Sequence, residues 1–142
     1  MEPPLKKNTQ VPRVSPEPGP EARLAGLHIL IVEDVGLVAT ELRMMLDTMG
    51  CHTVGVASRL NEATRFAQAT ERLDGVLLDL NLAGQNSYPV AEILHERGIP
   101  FIIMSGYDTS HTRADCADDA HLQKPFGHDD LAKVMLRTFL PS

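Results

Sequence analysis

The chain has 142 residues, a length suited to one domain, and its 43% hydrophobic content is ample for a core. With no tryptophan and few aromatic residues, that core must be aliphatic. A net charge of −6 argues against sequence-independent nucleic-acid binding and against docking to an anionic membrane, because both need a basic face.

Residues 1–25 stand apart from the rest. They hold Pro3, Pro4, Pro12, Pro16, Pro18 and Pro20, and are mildly basic through Lys6, Lys7, Arg13 and Arg23. A segment of this kind buries too little apolar surface to offset its ordering entropy, so it reads as a disordered Pro-rich leader before a domain over 26–142. No stretch approaches the roughly 18 apolar residues of a membrane span, and the N-terminus lacks the apolar core of a signal peptide. Cys51 and Cys116 form no CxxC pair or zinc-ligand spacing and read as reduced thiols. Together these features point to a soluble, cytoplasmic protein.

From Leu27 onward, short β-branched runs alternate with helical periods. A first strand over about 28–32 ends on Glu33-Asp34. The following helix places Val38, Leu42, Met45 and Met49 on one apolar face, and Gly50 ends it. Met44, Met45 and Met49 all read as packing residues. A second strand lies near 52–57. Ser58 is placed to cap the next helix, which Leu60, Ala63 and Ala67 line.

The third strand, 75–79, ends on Asp79. A helix over Ser87–Arg97 turns Val90, Ile93 and Leu94 inward, and Gly98 stops it. The fourth strand, 99–104, ends on Ser105. Residues 107–118 are polar and lack an apolar stripe. A fifth strand over about 120–123 precedes Lys124-Pro125. The last helix starts near His128, with Asp129 and Asp130 complementing its dipole and Leu131, Val134, Met135 and Leu140 on its buried side.

This alternation implies an α/β fold: a doubly wound, five-stranded parallel sheet of flavodoxin-like (βα)5 type, strand order 2-1-3-4-5. The carboxyl ends of parallel strands meet at one edge, where ligands bind. Glu33, Asp34, Asp79, Ser105 and Lys124 therefore converge there. Three clustered carboxylates repel one another, and a hard divalent cation such as Mg²⁺ resolves that conflict. A carboxylate beside such a cation can attack phosphorus, with Lys124 and Ser105 able to contact the phosphoryl oxygens.

At this point the chain resembles the receiver domains of bacterial response regulators. Glu33-Asp34, Asp79, Ser105 and Lys124-Pro125-Phe126 match that family's signature in order and in placement on strand ends. The resemblance covers residues 27–140. It implies that Asp79 is the phospho-acceptor and that Asp34 and Asp79 ligate Mg²⁺. Glu33 would act mostly through a metal-bound water, and the backbone carbonyl of Asn81 would complete the set. It makes Ser105 the switch hydroxyl, pairs Lys124 with the phosphoryl group, and makes the Lys124–Pro125 bond cis. The family's aromatic switch position is His121 here, a polar and titratable substitute.

The implied function is that of a single-domain response regulator. It would take its phosphoryl group from a phosphohistidine on a sensor histidine kinase or a phosphotransfer protein, and signal to an unknown downstream protein by contact. It would not be an enzyme in its own right. Two alternatives share part of the pattern. A haloacid-dehalogenase-like phosphatase needs a second Asp where Asn81 stands, and a pseudo-receiver would not need the intact acidic set.

Overall fold

The computed structural model describes residues 19–106 and 119–140. Five strands form one parallel sheet: β1 (His28–Val32), β2 (His52–Ala57), β3 (Gly75–Asp79), β6 (Phe101–Ser105) and β7 (Ala120–Gln123). Their order is β2-β1-β3-β6-β7, which is the expected 2-1-3-4-5 order with main strands alone counted. The numbering is offset by a small antiparallel hairpin absent from the sequence reading, β4 (Asn81–Leu82) and β5 (Gln85–Asn86). The described helices are α1 (Gly36–Thr48), α2 (Leu60–Ala69), α3 (Tyr88–Arg97) and α4 (His128–Phe139). The connection between β6 and β7, residues 107–118, lies outside the described residues, as do 1–18 and Cys116.

Strand periodicity divides the core in two. Ile29, Ile31, Leu77, Ile102 and Met104 face α1 and α4, where they meet Leu42, Leu46, Leu131 and Met135. Leu30, Val32, Val76, Leu78 and Ile103 face α2 and α3, meeting Ala63, Ala67, Val90 and Leu94. Both faces of the central strands are thus covered, which explains why β1 and β3 read as continuous apolar runs. Gly50 (φ +81°) and Gly98 (φ +68°) adopt the left-handed conformation at the two helix ends expected from the sequence.

Three local expectations change. Ser58 does not cap α2: Arg59 is the flanking residue, and the Ser58 N–H and hydroxyl both donate instead to Glu62 Oε1, at 3.1 and 3.2 Å. The acidic side chain one turn in reaches back to the chain, so the acceptor is the glutamate and not the serine. Met45 and Met49 pack as expected, whereas Met44 is 63% exposed because it lies on the outer face of α1.

The third change concerns the leader. Its last residues, Pro20–Leu24, form a 3₁₀ turn against α4. Leu24 is fully buried in the α1/α4 core, and its carbonyl accepts from the Cys51 thiol at 3.4 Å. Glu21 Oε1 pairs with His128 Nε2 at 2.6 Å. One apolar residue and one side-chain hydrogen bond anchor the turn at Pro20–Leu24, although the composition of the stretch it belongs to reads as unfoldable. Burial pushes the Cys51 thiol up to about 11, which keeps it protonated and unreactive. Among the described residues no helix is long and apolar enough to cross a membrane.

If Leu24 is a core residue, Leu24→Ala should lower the unfolding free energy by about 2–5 kcal/mol in urea denaturation. A loss below about 0.5 kcal/mol, typical of surface positions, would return this segment to the leader.

Candidate functional site

The carboxyl ends of β1, β3, β6 and β7 line one open cleft of about 820 Å³ that includes Asp34, Asp79, Ser105 and Lys124. Strand register sets the placement. Val32 pairs with Leu78, so Glu33-Asp34 and Asp79 leave adjacent strands at the same level. Asp79 pairs with Met104, and Ser105 with Gln123, which bring the hydroxyl and the lysine to the other side.

The Lys124 ammonium donates to Glu33 Oε1 at 2.7 Å and to Asp79 Oδ2 at 3.0 Å. The Glu33 side chain is fully buried and that of Asp79 is 9% exposed, so this cation neutralises charge where water cannot. Glu33 Oε2 accepts from the Val35 N–H at 3.1 Å, and Asp79 Oδ1 from the Asn81 N–H at 3.1 Å. Each buried carboxylate thus has one oxygen on the lysine and one on a backbone amide. The Lys124–Pro125 peptide is cis, as expected.

Burial raises the Glu33 carboxyl to about 6; the Lys124 bond opposes the shift and the nearby Asp79 adds to it. Burial acts to lower the Lys124 ammonium, but its bonds to Glu33 and Asp79 outweigh that and hold it above its ordinary value. Glu33, Asp34 and Asp79 each offer an oxygen within 4.8 Å of the others. Three carboxylates and one ammonium leave a surplus of negative charge, and an oxygen-ligand cleft of that sign suits a hard divalent cation.

Six of the seven site residues picked from the sequence meet here. The exception is His121, half-buried on β7 in register with Ile103 and outside the cleft lining. Two features escaped sequence reading. The β4–β5 hairpin folds beside the cleft, its turn held by the Ala83 N–H donating to Asp34 Oδ2 at 3.1 Å. Ser87, expected only to start a helix, is fully buried and donates to the Asp79 carbonyl at 2.6 Å. Gly84 was the available signal for the hairpin turn; nothing local marked the serine.

The fold and cleft define a doubly wound α/β protein with an acidic, lysine-bridged site at a topological switch point. Comparison with known proteins makes the class specific. The model of the response regulator receiver domain matches residues 29–136, and the chain belongs to that family. Phyllosphere-induced regulator PhyR of Methylorubrum extorquens is 29% identical over 111 residues, 76% of this chain and 42% of that protein.

Among solved structures, SdrG from Sphingomonas melonis Fr1 has a TM-score of 0.69 and 35% identity, covering 78% of this chain and 93% of that one. The response regulator PhyR from Brucella abortus has a TM-score of 0.73 and 25% identity, covering 85% and 51%. The chain spans 42% and 48% of the two curated relatives it matches, less than half of each. Membership in a family of signalling modules decides against the haloacid-dehalogenase alternative.

Removing the lysine gives a pH-dependent cost. In Lys124→Ala the buried Glu33 carboxyl should rise further above about 6, against 4.5 for the ordinary group. Below the ordinary value both folded and unfolded chains hold the proton, so this component of the loss is absent. As pH rises through the folded value, ionisation costs the folded state more, and the loss should grow to about 1–3 kcal/mol. Denaturation at acid and neutral pH measures it; an equal loss at both would count against the ion pair.

Proposed function

We propose that Asp79 accepts a phosphoryl group from a phosphohistidine, carried by a sensor histidine kinase or a phosphotransfer protein. The observation that carries this reading is the carboxylate of Asp79, nearly buried yet at the cleft, bonded to Lys124 at 3.0 Å and to the Asn81 amide at 3.1 Å. An Asp79 oxygen forms the new O–P bond as the donor's N–P bond breaks, and the imidazole leaves with that electron pair. Lys124 neutralises charge on the transferring group, and the Asn81 amide fixes the attacking carboxylate.

Asp34, Asp79, the Asn81 carbonyl and, through water, Glu33 are the groups that would hold Mg²⁺. When bound, this ion supplies charge neutralisation at the phosphoryl oxygens. The donor set fits it: all-oxygen, mostly carboxylate, and in negative surplus. Ser105, at the end of β6, is positioned to donate its hydroxyl to the phosphoryl group, and its movement would bias the edge formed by β6 and β7. His121 on β7 is the neighbouring group through which that bias would be read. Signal output then passes by protein–protein contact to a downstream protein, with the domain of 26–142, extended by the anchored turn at Pro20–Leu24, as the unit that carries it.

Incubation with Mg²⁺ and acetyl phosphate should give acid-stable, base-labile phosphate on the wild type and none on Asp79→Asn. An unlabelled wild type, or a labelled Asp79→Asn, overturns the reading.

Cation affinity should also depend on pH. Glu33 titrates at about 6 in the folded protein, and its proton opposes a nearby cation. Mg²⁺ affinity should therefore rise with pH through that value and level off above it, measured by calorimetric titration. A flat profile would remove Glu33 from the metal site.

A further inference from the structure

We propose that Ser87 is a positioning residue for Asp79, holding the backbone that aims its carboxylate; the inference rests on the phospho-acceptor reading above. The peptide that joins Asp79 to Leu80 is fixed at both ends. Its N–H donates to the Met104 carbonyl on β6 at 3.0 Å. Its C=O points the opposite way, as a trans peptide requires, toward the end of β1. There β1 has stopped at Val32, level with Leu78, so no strand N–H is available to receive it. The Ser87 hydroxyl takes that place at 2.6 Å. An unsatisfied carbonyl in this buried position would otherwise cost about 1–3 kcal/mol.

The serine gives up an ordinary role to do this. Ser87 flanks the start of α3, where a serine usually accepts from an amide of the helix's first turn. It makes no such bond. The Tyr88 N–H turns instead to Asn86 Oδ1 at 3.3 Å. Ser87 is fully buried, so its hydroxyl is neither a surface group nor an exchangeable cap.

Ser87 also closes the neck of the hairpin. Its N–H donates to the Leu80 carbonyl at 2.9 Å, and its hydroxyl lies 3.3 Å from the same oxygen. The segment thereby closed begins with Asn81, whose N–H holds Asp79 Oδ1 at 3.1 Å. Rotation of the Asp79–Leu80 peptide would therefore displace two things together: the Cα–Cβ direction of Asp79 and the amide that orients its carboxylate. Ser87 touches no reacting atom, and its contribution passes through Asp79.

The test compares three substitutions by the rate of Asp79 labelling from acetyl phosphate at saturating Mg²⁺, with thermal unfolding as a check on folding. Ser87→Ala removes the hydroxyl. Ser87→Cys keeps the volume but offers only a weak donor, and Ser87→Thr keeps the hydroxyl. Misaiming the nucleophile should lower the maximal rate by about tenfold or more in Ser87→Ala and Ser87→Cys, with half-saturation by the donor little changed. Ser87→Thr should recover most of that rate. A role in packing alone would leave Ser87→Cys at the wild-type maximal rate, and that result overturns the inference while the phospho-acceptor reading stands. A wild type that takes no label overturns both.

Discussion

One ammonium among three carboxylates is the constraint on which the rest of the cleft depends. Lys124 bonds to Glu33 and Asp79 at once, on carboxylates that the strand ends have taken almost wholly out of water. Burial and the neighbouring Asp79 both disfavour the ionised Glu33 carboxyl, and the lysine opposes them. With it, the Glu33 carboxyl still lies near 6, so burial is only partly offset. The cleft is thus electrostatically unfinished: its own lysine holds it together but does not balance it. A site in that condition favours any arriving group that brings positive charge, and it holds the Asp79 carboxylate 3.0 Å from a fixed ammonium.

The sheet exists, for functional purposes, to bring these groups together. Glu33, Asp79 and Lys124 are separated by 45 to 91 positions in sequence but by one to three strand spacings in space, since β1, β3, β6 and β7 follow one another across the sheet. The registers Val32–Leu78 and Asp79–Met104 decide that the acids leave the sheet at one level. A one-residue slip in either pairing would turn Asp79 to the opposite face of the sheet. Apolar burial on both faces is what prevents that slip: Leu77 belongs to the α1/α4 core and Leu78 to the α2/α3 core, and neither can exchange sides with a carboxylate.

This explains what could be read from the sequence. Strand ends, helix faces, strand order and the convergence of Glu33, Asp34, Asp79, Ser105 and Lys124 follow from periodicity and from the topology that periodicity implies. The features that could not be read depend on single contacts between distant or unpatterned residues. Leu24 is one apolar residue in a Pro-rich segment, and nothing local indicates that α4 provides a slot for it. Ser58 and Ser87 both look like helix caps; Glu62 displaces the first from that role, and a strand-end carbonyl recruits the second. The hairpin after Asp79 has strands of two residues each, too short for any alternation to show.

That hairpin also shows how local strain and the acidic site support each other. Ala83 stands at φ 52°, a left-handed conformation that costs an L-residue about 1–2 kcal/mol. Its partner in the turn, Gly84, adopts φ 84° without such a cost, and the pair forms the tight two-residue connection that a right-twisted hairpin needs. Three contacts offset the alanine's strain. Leu82 is fully buried, Asn81 Oδ1 accepts from the Gly84 amide at 3.1 Å, and Asp34 Oδ2 accepts from the Ala83 amide at 3.1 Å. The last of these comes from the acidic cluster itself. One oxygen of Asp34 is therefore engaged in holding the turn, and the same carboxylate is part of the group whose oxygens lie within 4.8 Å of one another. Hairpin shape and acidic cluster share a carboxylate, so the conformation of the Asn81–Asn86 segment and the charge state of the cleft are thermodynamically linked.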